Sequence, residues 1–128
     1  MPPDGTAAWA GQEGEEASMK QYVVDQLSES DYLKLSDYLE EHLECTFVEG
    51  IYWMDLPEAL YSELQHQHKE CQPFYFAVNL SRKQIGLEWL IRSRQTLHCS
   101  CIAYATTTQR EYIIDFAEKT FAKLGIRA

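Results

Sequence analysis

The chain lacks every short signature that would announce a reaction. Neither Gly-x-Gly-x-x-Gly nor a Walker-type loop occurs, and only 6 glycines are present, so a phosphate cradle of backbone N–H groups has no candidate. Gly-x-Ser-x-Gly and His-Glu-x-x-His are missing too, which removes the hydrolase elbow and the helical zinc-protease site. Basic residues are scarce, 11 Lys and Arg against 20 Asp and Glu, for a formal charge of −9. Such a chain repels phosphate backbones and anionic headgroups, so neither nucleic acid nor a membrane surface is an expected partner. The only concentrated cations are Arg82 with Lys83 and Arg92 with Arg94, too few to reverse that balance. No apolar run approaches the roughly 20 residues of a membrane helix. The N-terminus has neither the basic nor the apolar region of a secretory signal. The four cysteines are therefore expected as free thiols in a reducing cytoplasm.

What is present reads as one folded domain. A chain of 128 residues can bury roughly two-thirds of its unfolded surface, so no disulfide or metal is required for folding. Residues 1–18 stand apart: they are rich in Gly, Ala, Pro and Glu, with no Lys, no Arg and no periodic pattern. That composition predicts a disordered extension, with the domain over 19–128. An upstream start codon, with Met19 the true beginning, explains it more simply than a functional acidic tail.

Within the domain the hydrophobic periods alternate between two and 3.6. Gln21 to Leu27 reads as a strand. Ser28 to Asp31 supplies a cap, and Tyr32, Leu35, Leu39 and Leu43 make the stripe of a helix. Thr46 to Met54 reads as a second strand with Gly50 a bulge. Asp55 to Glu58 has capping-box spacing ahead of a short helix carrying Leu56, Leu60 and Leu64. Phe74, Phe76, Val78 and Leu80 then share one face of a strand, as do Ile85, Leu87, Trp89 and Ile91. Leu97 to Ala105 alternates again, with Cys99, Cys101, Ala103 and Ala105 on one side. A last helix, capped by Thr108 and Glu111, carries Ile113, Phe116, Ala117, Phe121 and Leu124 and stops at Gly125. The order is β-α-β-α-β-β-β-α. The class is α+β, a single domain with a mostly antiparallel sheet of about five strands and helices on one face.

Histidines and cysteines fall in three groups: His42 with Cys45; His66, His68 and Cys71; and His98, Cys99 and Cys101. Imidazole and thiolate are the ligand set of Zn²⁺, and His68, Cys71, Cys99 and Cys101 are the candidate ligands. Strand geometry argues against them. On a regular strand Cys99 and Cys101 lie roughly 6.6 Å apart, with His98 on the opposite side. No Cys-x-x-Cys pair is present, and a buried thiol often packs as a small hydrophobe. No cofactor is therefore required, zinc being the one that the residues could accept.

Catalysis has no better candidate. Cys71 is the best-placed thiol, near His68, but its surroundings are not electropositive. Glu49, Asp55 and Glu88 could pair as carboxylates only if the sheet brought them together. No catalytic residue is assigned. The sheet face without helices would present Tyr75, Asn79, Glu88, Arg92, His98, Ser100 and Tyr104, a mixture suited to a ligand or a protein surface. The leading expectation is thus a non-catalytic cytoplasmic domain acting through contact with a protein partner or as a homodimer. A metal- or small-ligand-binding protein using the His and Cys groups is the alternative. A small thiol- or carboxylate-dependent enzyme comes third.

Overall fold

The computed structural model describes residues 20–127; the expected disordered extension over 1–18 lies outside them. Four strongly apolar alternate residues create the centre. Phe74, Phe76, Val78 and Leu80 all point into the core, at 8% exposure or less. They belong to β4 (Phe74–Leu80), the longest strand. Ahead of it come β1 (Gln21–Val24), β2 (Glu44–Cys45) and β3 (Ile51–Asp55). After it come β5 (Ile85–Glu88), β6 (Leu90–Ser93) and β7 (Ala103–Tyr104). Among the described residues the seven strands join one sheet, every pairing antiparallel, in the order β1-β5-β4-β3-β2. β6 continues along β4 beyond β5 and carries β7 on its other side.

The described residues also form three α-helices: α1 (Glu29–His42), the single-turn α2 (Glu63–Gln67) and α3 (Thr107–Leu124). Leu35 and Leu39 of α1 and Ile113, Ala117 and Phe121 of α3 are buried in the same cluster as the apolar face of β4 and β5. Fully burying one such Leu or Ile contributes about 1.5–3 kcal/mol. The class expected from sequence, an α+β domain with an antiparallel sheet, is therefore the one observed.

The differences lie in how the sheet is subdivided. The stretch read as one strand over Thr46 to Met54 is a hairpin instead. Its turn is held by Thr46, whose hydroxyl donates to the Ile51 carbonyl at 2.9 Å. Gly50 closes it at φ +87°, where a Cβ would lie 2.5 Å from the Leu80 carbonyl oxygen. Trp89 interrupts the β5–β6 strand. Its backbone N–H donates to Lys20 and its carbonyl accepts from Ala105, so the chain leaves the β4 ladder there to meet other partners. The segment from Leu97 to Ile102 is not a strand; only Ala103 and Tyr104 pair, with Ile91 and Leu90.

Two caps also sit elsewhere than expected. Asp55 to Glu58 caps nothing: a short 3₁₀ turn over Glu58–Leu60 begins without a side-chain cap. Capping boxes form at Ser28 with Asp31 for α1, at Ser62 with Gln65 for α2 and at Thr106 with Gln109 for α3. The Gln109 side chain is 1% exposed, and it does more than cap. Its Oε1 accepts from the Thr106 N–H, and its Nε2 donates to the Leu60 carbonyl at 2.8 Å and to Gln65 Oε1 at 3.0 Å. One amide thereby fastens α3 to α2 and to the turn before it.

Gln109→Met keeps the volume and removes these bonds, leaving the Leu60 carbonyl without this donor and the Thr106 N–H without its acceptor, while Gln65 Oε1 keeps only the Ser62 N–H. The expected loss is about 2–4 kcal/mol of unfolding free energy, read from a urea midpoint shift at constant slope. A loss below about 0.5 kcal/mol would mean that the bridge is dispensable.

Candidate metal centre

Four ligand-type side chains converge between α2, the turn before β4 and the loop after β6. The α2 helix ends at His68, whose N–H still donates to the Leu64 carbonyl. The chain then tightens into a 3₁₀ turn over Lys69–Cys71, with the Cys71 N–H bonded to the His68 carbonyl at 3.0 Å. A three-residue step in such a turn returns side chains to one side, and His68 and Cys71 accordingly meet. On the other strand of chain, the Ile102 N–H donates to the Cys99 carbonyl at 3.0 Å. That tight turn folds Cys99 and Cys101 onto the same side, which a strand could not do.

Ser93 joins the two halves. Its hydroxyl donates to the Cys71 carbonyl and accepts the N–H groups of Gln95 and Thr96 at 2.9 and 3.2 Å. The end of β6 is thus tied to the Cys71 turn, and the entry to the Cys99 loop is shaped by the same atom.

The ligand atoms of His68, Cys71, Cys99 and Cys101 all lie within 4.8 Å of one another. His68 Nδ1 stands 3.1 Å from Cys99 Sγ. A tetrahedral Zn²⁺ with bonds of about 2.3 Å to sulfur and about 2.0 Å to nitrogen sets its ligands roughly 3.3–3.8 Å apart. The group therefore needs only a small contraction to take such an ion, and these four residues could hold a metal. Cys71 and Cys101 are buried, while His68 and Cys99 are half-buried and form the outward side. All four cysteines are free.

The thiols are electrostatically unequal. The Cys101 backbone N–H directed at Cys99, helped by the Cys101 thiol, brings Cys99 down to about 6. Burial pushes Cys101 up to about 12, and burial likewise raises Cys71. One thiolate thus forms near neutral pH and shares its charge with two protonated neighbours. A cation in the middle would favour ionisation of all three.

The remaining sequence candidates are dispersed. His42 stacks on Tyr38 at 4.0 Å and bonds its carbonyl, away from the cluster. Cys45 is exposed on β2. His66 packs against Tyr61. On the face of the sheet without helices, Asn79 Nδ2 donates to Glu88 Oε2 at 3.1 Å, and Arg92 approaches Glu88 at 3.5 Å. Tyr75 is covered there: Trp53 stacks on it at 4.3 Å, and the Arg94 guanidinium lies over both rings. Glu44 and Asp55 hold that guanidinium at 2.9 and 2.8 Å. His98 and Ser100 are exposed in the loop rather than on a sheet face, and Tyr104 sits on β7 with Lys20 over its ring. Glu49, Asp55 and Glu88 belong to three different segments, the turn, β3 and β5.

Sequence reasoning missed Ser93, Gln65 and Gln109, which position the cluster without touching an ion. The signal for two of them was present as Ser-x-x-Gln at 62–65 and Thr-x-x-Gln at 106–109. Compared with models of known families, with curated proteins and with solved structures, the chain matches none, so its chemistry rests on these residues alone.

Proposed function

We propose that the chain is a zinc-binding domain whose ion is structural, held by His68, Cys71, Cys99 and Cys101. The supporting observation is the convergence of four soft ligand atoms, from two distant parts of the chain, within 4.8 Å. A shared thiol packing role accounts for the two buried cysteines. It does not account for a half-exposed imidazole 3.1 Å from a half-exposed thiol in the same group. Three thiolates and one imidazole fill a tetrahedral shell, leaving no open position for water or substrate, and that is the mark of a structural rather than a catalytic site. Hard cations are disfavoured by the absence of any oxygen ligand in the set.

The full chain, purified without chelator, is expected to carry one zinc per molecule by native mass spectrometry. Co²⁺ added to the stripped protein should give the absorption of a tetrahedral thiolate complex, and Zn²⁺ should then displace it. Cys101→Ser should cut affinity by roughly a hundredfold, whereas Cys45→Ser should not change it. A native protein free of metal, with Co²⁺ keeping the spectrum of the aquo ion, would rule the reading out.

A second measurement separates a metal ligand from a nucleophile. In metal-free protein, alkylation of Cys99 by iodoacetamide should rise with pH to a midpoint near 6, because the thiolate is the reactive form. Cys101, up near 12, should remain unmodified in the native state. Stoichiometric Zn²⁺ should suppress Cys99 labelling at every pH in that range. Labelling that zinc leaves untouched would favour the thiol-enzyme reading instead.

A further inference from the structure

We propose that the tip of the β2–β3 hairpin docks an extended peptide segment that carries a large apolar residue flanked by lysine or arginine. Phe47 stands at the tip with its side chain wholly in solvent (109% relative exposure), and Val48 beside it is 58% exposed. An isolated surface leucine needs no explanation, but a phenylalanine held fully clear of its own fold forgoes all of its burial energy. Phe47 and Trp53 line a groove of about 380 Å³ together with Glu44, Cys45 and Thr46. With two aromatic side chains among its five lining residues, the groove suits one apolar side chain.

The backbone beside it is open as well. β2 is the terminal strand of the sheet, and among the described residues no backbone hydrogen bond reaches its outer edge. Natural edges are usually blunted by shortness, charge, proline or a covering element. Here β2 is two residues, Glu44-Cys45, and Thr46 to Val48 lead from it into the turn, with neither lysine nor proline among them. An added strand would satisfy the edge with main-chain bonds and place alternate side chains towards Phe47 and Trp53.

Charge selects the occupant. From Leu35 to His68 the sequence has eight Asp and Glu and no Lys or Arg. Arg94 reaches the region from beyond β6, but Glu44 and Asp55 already hold it. Glu40 and Glu49 line a second groove beside the same hairpin, together with Val48, and no cation lies within ion-pair range of either among the described residues. An apolar tip ringed by carboxylates fits a basic peptide. It repels a second copy, which would bring the same carboxylates and a charge of −9 to meet it. It repels an anionic bilayer for the same reason. This inference does not depend on the zinc centre.

The test uses the full ¹⁵N-labelled chain as purified and two capped seven-residue peptides. One has a central leucine between valines with two lysines at each end; the other has glutamate in place of lysine. The lysine peptide should shift amides of residues 44–53 in a saturable manner, and more weakly as salt is raised. Phe47→Ser, which alters no packed contact and should leave the melting temperature unchanged, should weaken binding at least about tenfold. Glu40→Gln with Glu49→Gln should weaken it about threefold to tenfold and flatten the salt dependence. The proposal fails if no saturable shift appears up to millimolar peptide, if shifts lie elsewhere, or if the glutamate peptide binds equally well. It fails equally if Phe47→Ser binds as the parent does, or if the parent chain dimerises through Phe47 in sedimentation.

Discussion

The buried amide of Gln109 is the constraint on which the rest of the structure leans. It is a capping residue for α3, yet its Nε2 reaches across to the Leu60 carbonyl and to Gln65 Oε1, itself a capping atom of α2. Two helix N-termini, each with unsatisfied N–H groups, are thereby solved by one connected network. Such a network is costly if half made and rigid when complete. Because α2 is a single turn with little apolar surface of its own, its orientation comes from these bonds rather than from packing. His68 ends that turn, so the amide fixes the angle at which an imidazole enters the cluster.

From there the dependence passes through short polar ties. Gln72 Nε2 donates to the Gln65 carbonyl, which holds the Lys69–Cys71 turn against α2. Ser93 then carries the constraint to β6 and to the loop beyond. The sheet supplies the rigid frame: His68 follows α2 directly, Cys71 closes the 3₁₀ turn before β4, and Cys99 and Cys101 lie in the loop between β6 and β7. That placement explains how side chains from distant parts of the sequence arrive within a few ångströms without any long loop.

How legible this was in the sequence depended on whether local chemistry was unambiguous. The β4 strand, the α1 stripe of Leu35 and Leu39 and the Gly125 stop of α3, observed at φ +71°, stand out because burial and period agree. The α3 cap was misplaced by two residues because Thr106, Thr107 and Thr108 are equally able to cap. Only tertiary demand for Gln109 decides among them. Leu97 to Ala105 misled more seriously. Its Cys-x-Cys-x-Ala-x-Ala pattern imitates strand alternation, while small residues accommodate a tight turn just as well. The four candidate ligands were therefore legible as a composition, but their convergence was hidden behind the wrong local geometry for Cys99 and Cys101.

The candidate ligands bracket the centre of the sheet: His68 and Cys71 precede β4, whereas Cys99 and Cys101 follow β6. During synthesis the first pair leaves the ribosome before the central hairpin exists, and the second pair arrives only after that hairpin is made. An ion captured by the set would thus be completed late, immediately before Thr107 opens α3. Coordination would then act as a timing mark in the birth of the molecule, sealing the sheet just as its covering helix begins to emerge.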